Sequence, residues 1–185
     1  MRREELGAEL LDHAYLEGDF VLRSGRRSSY YLDKYRFETQ PDVLAALGEH
    51  LAAEVSEHEP DAVRLAGPEL GAVALAASAS LSSGIPFVIV RSSAKEYGTA
   101  NRLEGVYEAG QRVCLIEDVV TTGGALLDAI EAVREAGLEC RIAVCVLDRE
   151  EGGADALARR GVRLVPLFRA GDLLPAQKTA AKPHG

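Results

Sequence analysis

The sequence predicts an α/β protein: a single domain with an open parallel sheet flanked by helices. Three observations predict it. Short apolar runs alternate with helical patterns from residue 62 to residue 168, the rhythm of neighbouring strands joined by crossover helices. The run Val113–Ile116 ends in the carboxylates of Glu117 and Asp118, as a central parallel strand does where it opens onto a ligand crevice. A chain of 185 residues also suffices for one core without disulfides and demands no second domain.

Taken in order, residues 4–17 place Leu6, Leu10, Leu11 and Ala14 at helical spacing with acids on the other face, an amphipathic helix. Phe20–Arg23 and Tyr30–Asp33 are β-prone runs around Ser24-Gly25-Arg26-Arg27, so a hairpin or paired strands are expected. Pro41, well tolerated in a first turn, opens with Asp42 a helix to about Glu57, whose core face is Val43, Leu44, Leu47, Leu51 and Val55. Strand 62–66, helix 70–83 and strand 87–90 follow. After Val113–Ile116 come a helix from Leu126 to Ala136 stopped by Gly137, strand 142–147, helix 154–160 and strand 162–168. Residues 91–112, with Lys95, Gly98, Arg102 and Gly105, break the rhythm; a connection this long inside a compact domain reads as a lid or binding loop. Residues 1–174 make up the domain, and polar, Ala-rich Pro175–Gly185 is expected to be a mobile tail.

A formal charge of −8 and a pI near 5.1 argue against a nucleic-acid partner, although a local arginine cluster still suits one small anion. Cys114, Cys140 and Cys145 lie in or beside apolar runs without metal-ligand spacing, and read as reduced core residues of a cytoplasmic protein. No apolar run approaches the roughly 20 residues of a membrane span, so no membrane partner is expected. His13, His50, His58 and His184 form no paired-ligand pattern, and no all-protein metal site is assigned.

The chemistry concentrates in Val113–Ala125. The glycines of the Thr121-Thr122-Gly123-Gly124-Ala125 turn uncover backbone N–H groups at the start of the next helix, a ready site for a phosphate dianion. Acids before the turn are the reverse of the dinucleotide fingerprint, which opens with GxGxxG and has its acid about 20 residues later. No GxxxxGK[ST] is present, which leaves the P-loop ATPase reading weak. The combination reads as a ribose-phosphate cradle.

This segment resembles the phosphoribosyl diphosphate (PRPP) motif of type I phosphoribosyltransferases. Three further segments resemble the orotate phosphoribosyltransferases: Phe20–Tyr31 their N-terminal region, Lys95-Glu96-Tyr97-Gly98-Thr99 their mobile catalytic loop, and Asp148–Gly153 the stretch after their next core strand. The likeness extends to Leu174 and implies the type I phosphoribosyltransferase fold with a small N-terminal hood and a mobile loop. It also implies transfer of phosphoribosyl from PRPP to orotate, giving orotidine 5′-monophosphate and pyrophosphate in pyrimidine synthesis, with Mg²⁺ bound mainly through PRPP.

Residue by residue, the resemblance gives Lys95, Glu117 and Asp118 catalytic roles. PRPP binding falls to Arg91, Lys95, Tyr97, Glu117, Asp118, Val119, Val120, Thr121, Thr122, Gly123, Gly124 and Ala125. Gly67, Pro68 and Glu69 occupy the place of the pyrophosphate loop, where Gly67 is expected to let the backbone approach a phosphate. Arg23, Tyr30, Tyr31, Thr121 and Arg149 are assigned to orotate, whose carboxylate suits a bidentate guanidinium. The loop of one subunit is implied to reach the other's site in a homodimer. Ser92 departs from the pattern, which commonly has a basic residue there; Tyr97 stands where histidine is frequent, and Arg23 where lysine is. The missing cation keeps open a transferase for another base and a non-catalytic PRPP or nucleotide sensor.

Overall fold

The computed structural model describes residues 1–21, 27–92 and 102–173, with the backbone alone over 28–30. The expected Arg23, Lys95 and Tyr97, the Tyr30 side chain and the tail from 174 onward lie outside the described residues. Helix α1 (Arg3–Ala14) leads into an antiparallel pair, β1 (Tyr15–Val21) and β2 (Arg27–Leu32). The opening helix therefore stops earlier than its pattern suggested. Tyr15, Leu16 and Glu17 pair with Leu32, Tyr31 and Tyr30, because aromatic and branched partners across a ladder outweigh a marginal last turn. A short helix that the sequence reading passed over, α2 (Lys34–Glu38), follows, anchored by buried Phe37 and by Asp33 N–H donating to Ala14 O at 2.9 Å.

The core elements are α3 (Pro41–His58), β3 (Arg64–Pro68), α4 (Gly71–Ser83), β4 (Phe87–Val90), β5 (Leu103–Glu104), β6 (Arg112–Val120), α5 (Gly124–Glu135), β7 (Glu139–Asp148), α6 (Gly153–Ala158), β8 (Arg163–Arg169) and α7 (Ala170–Leu173). The sheet order is β5-β4-β3-β6-β7-β8, parallel except for the antiparallel β4–β5 pair. This is the expected sheet. Two-residue β5 was not foreseen, and it shortens the open part of the 91–112 connection.

Alternation along β6 divides the core. Cys114 and Ile116 pack with α1, α3 and α4 residues; Val113 and Leu115 pack with Leu126, Ile130 and Val133 of α5. Leu115 and Ile116 are fully buried, and each such side chain contributes about 1.5–3 kcal/mol. Helices α3 and α4 cross closely because Gly48 has no Cβ, which would lie 2.7 Å from the Ser78 carbonyl carbon, and Ser78 Oγ donates to Leu44 O at 2.8 Å. Gly137, at φ 80°, ends α5 as expected, with Leu138 N–H donating back to Val133 O at 3.0 Å. All three cysteines are buried and unbridged. Burial pushes the Cys140 thiol up to about 12 and the Cys114 and Cys145 thiols well above the ordinary range, so they are inert apolar fillers.

Candidate active site

The site forms at the C-terminal ends of β3, β6 and β7. Glu117 and Asp118 do not terminate β6 as the sequence pattern suggested. Pairing with β7 continues to Val120 opposite Asp148, which places both acids inside the strand, 6% and 2% exposed. A buried carboxylate needs a partner, and Asp118 has one: its Oδ2 lies 2.5 Å from Lys34 Nζ at the start of α2. Glu117 instead lines a cavity of about 50 Å³ together with Val119, Val120 and the turn that follows.

That turn is built as expected. Gly123 takes φ 83° at the N-cap of α5, where its missing side chain leaves the first helical N–H groups without a side-chain cap. A Cβ on Gly124 would meet nothing, so the approach to those donors is open. Thr121 and Thr122 are exposed beside it, and Ala125 is the second residue of the helix. Burial, and next the charge of Asp118, push the Glu117 carboxyl well above the usual carboxylate range.

The Asp148–Gly153 segment buttresses the turn. Arg149 N–H donates to Val120 O at 2.8 Å and Gly153 N–H to Thr121 O at 2.9 Å. A Cβ on Gly153 would lie 2.5 Å from Val120 Cγ1 and 2.6 Å from Thr121 O. Arg149 thus sits beside the cradle, 15% exposed, with its guanidinium 3.1 Å from Glu151.

Gly67 and Pro68 lie within β3. A Cβ on Gly67 would strike Ala72 O and Ala76 Cβ, each at 2.8 Å, so the close packing of α4 against β3 requires glycine here. The glycine that opens the site is Gly71, where a Cβ would fall inside the Asp118 carboxylate and 2.8 Å from Lys34 Nζ. Glu69 is exposed, and its Oε1 accepts from Ser92 Oγ at 2.7 Å and Ser92 N–H at 2.8 Å. These bonds, the hydroxyl's first, hold Glu69 below the usual carboxylate range. Ser92 therefore satisfies the exposed acid between β3 and α4.

Arg91, at the end of β4, lies 4.0 Å from Glu104 and donates its N–H to Arg102 O. Arg102 returns bonds to Arg91 O and pairs with Asp128. Tyr31 is 45% exposed on the hairpin, its ring centroid 5.6 Å from that of Phe20. Among the described residues, acids and imidazoles near enough to share a metal are Glu54, Glu57 and His58, at the end of α3 remote from this crevice. The residues whose part in the site was missed from sequence are Lys34, Glu38, Gly71 and Gly153. Both glycines sat in segments already singled out, whereas Lys34 and Glu38 carried no periodic signal.

A profile of the phosphoribosyl transferase domain matches residues 37–163. The chain is 50% identical over 174 residues to the orotate phosphoribosyltransferase of Methanopyrus kandleri, covering 94% of this chain and 92% of that protein. To the orotate phosphoribosyltransferase of Methanocella arvoryzae it is 48% identical over 157 residues, covering 85% and 88%. Among solved structures, the Mycobacterium tuberculosis orotate phosphoribosyltransferase in complex with PRPP superimposes with a TM-score of 0.78 at 30% identity, covering 92% of this chain and 98% of that one.

Proposed function

The chain belongs to the phosphoribosyltransferase family, and we propose that it acts as an orotate phosphoribosyltransferase. A ring nitrogen of orotate gives up its N–H proton to solvent and attacks C1 of PRPP, the C1–O bond breaks, and the diphosphate leaves with the electron pair as orotidine 5′-monophosphate forms. The observation that carries the reaction class is the open, uncapped N-terminus of α5 directly after a strand holding two buried acids. The choice of base rests on the relatives, named for orotate across 85% and 94% of this chain.

The chemical difficulty is charge separation, positive on the ribose and negative on the leaving group. In this reading the 121–125 turn fixes the 5′-phosphate through backbone N–H groups and the threonine hydroxyls. Asp118 supplies negative charge beneath the ribose, with Glu117 beside it on β6. Arg91 and Lys95 face the diphosphate, Arg149 faces the orotate carboxylate with Arg23, and Tyr30 or Tyr31 walls the pyrimidine. Mg²⁺ would be held mainly through PRPP oxygens and water rather than by this chain's side chains, and would supply charge neutralisation to the leaving diphosphate. The working assembly is a homodimer in which the Lys95 segment of one subunit serves its partner's crevice, and the unbridged cysteines fit a cytoplasmic setting. Incubation with PRPP, Mg²⁺ and, separately, orotate, uracil, hypoxanthine or adenine tests the proposal. Pyrophosphate release with orotate supports it, release with another base alone redirects it, and PRPP binding without release indicates a sensor.

A further inference from the structure

Lys34 belongs to no segment by which the sequence resembles its family, yet it occupies a central place in the crevice. Its ammonium, 2.5 Å from Asp118 Oδ2, sits where three parts of the protein meet: the hood, the 67–71 turn and the end of β6. The geometry is specific. Helix α2 is fixed at its start by the Asp33-to-Ala14 bond and farther along by buried Phe37, so the lysine stem is delivered from a held backbone. Room for the pair exists only because Gly71 has no Cβ. Two other acids crowd the same place. Glu38, one turn after Lys34, is 4% exposed with Oε1 unpartnered, and Glu117 precedes Asp118 on β6. Burial lowers the Lys34 ammonium and the bonded charge of Asp118 more than offsets this, leaving it raised; burial, then Asp118's charge, pushes Glu38 up to about 8.

We propose that Lys34 is a positioning residue for ribosyl transfer, pinning the Asp118 carboxylate in place beneath the ribose and acting through that carboxylate rather than on the substrate. Among the described residues, Lys34 is the cation bonded within this cluster of carboxyls, and its contact fixes which way Asp118 points. Without the cation, a buried carboxylate lacks its partner and either turns away or gives up its charge. The inference rests on the proposed transferase reading.

The test is a double-mutant cycle on the full-length protein with PRPP, Mg²⁺ and orotate. Lys34→Met is expected to lower kcat about 10- to 100-fold, the scale of a misplaced reacting group, with KM for PRPP changed far less. Lys34→Arg should restore most of the loss. In an Asp118→Asn background, Lys34→Met should cost nothing further, since its route of action is already gone. Gly71→Ala, which retains the lysine but pushes a methyl into the pair, should reproduce the fall in kcat and keeps the test decisive should Lys34→Met not fold. An equal loss from Lys34→Met in both backgrounds, or a rise confined to KM for PRPP, overturns the proposal. If the wild type turns over orotate and Lys34→Met matches it, only the role of Lys34 falls. If the wild type turns over no base, the transferase reading falls first and takes this role with it.

Discussion

Replacing Gly153 with alanine should damage the phosphate turn from behind. The added Cβ would lie 2.6 Å from Thr121 O and 2.5 Å from Val120 Cγ1, while an ordinary non-bonded separation is about 3.5 Å or more. Relief therefore moves the turn by nearly an ångström, because one of the obstacles is backbone. Overpacking of this kind costs roughly 1–3 kcal/mol, partly offset by alanine's helical preference over glycine of about 0.5–1 kcal/mol at the start of α6. At roughly 2–4 °C per kcal/mol for a chain of this size, Tm should fall by several degrees. The effect on function should be larger, since an ångström of misplacement can cost on the order of 10²-fold in rate. Gly152→Ala is the matched control: φ of 97° makes it strained, about 1–2 kcal/mol, but its Cβ meets nothing. Thermal unfolding with steady-state kinetics in PRPP should show both variants destabilised and only Gly153→Ala severely reduced in kcat/KM for PRPP. Equal kinetic losses in the two, or wild-type kcat/KM in Gly153→Ala, would refute the buttress argument.

Arg149→Ala should weaken orotate binding by calorimetry while PRPP affinity stays near wild type; unchanged orotate affinity, or equal loss for both ligands, rejects Arg149 as the base-recognition residue. Lys95→Ala and Asp118→Asn should each be nearly inactive alone, and mixing them should regenerate activity from heterodimers carrying one intact site; no recovery after native mass spectrometry confirms exchange excludes the shared-site dimer. The Glu38 carboxyl, raised in the fold to about 8, holds a proton that the unfolded chain releases near its ordinary value of about 4.3. The folded state then binds more protons between those values, so stability falls as pH rises through this window and levels off above about 8. Glu38→Gln should make that fall shallower in urea titrations from pH 5 to 9, with Glu117 supplying the remainder; identical pH slopes for wild type and variant would count against the assignment.

Much of the fold was legible because its signals were local and repeated. The Val43, Leu47, Leu51 and Val55 spacing marked α3, and Phe87–Val90 was read with its observed bounds. The turn at Thr121–Ala125 was legible too, since it joins acids at a strand to a hydroxyl and glycine turn at a helix start in one unbroken run. The reading of β6 stopped four residues early at Ile116, because a carboxyl pair signals a strand end unless something pays for burying it. That something was Lys34, remote in sequence, in a helix too short for periodicity to show. Gly67 and Gly71 illustrate the same limit: both sit in one conspicuous segment, but only tertiary packing tells that the first spares α4 and the second spares Asp118.

The most direct measurement is the identity of the product. Wild-type protein given PRPP, Mg²⁺ and orotate should form orotidine 5′-monophosphate, identified by mass and equimolar with pyrophosphate, and should form no corresponding nucleotide from uracil, hypoxanthine or adenine. A nucleotide of another base with none from orotate, or PRPP bound and returned intact with every base, would contradict the account.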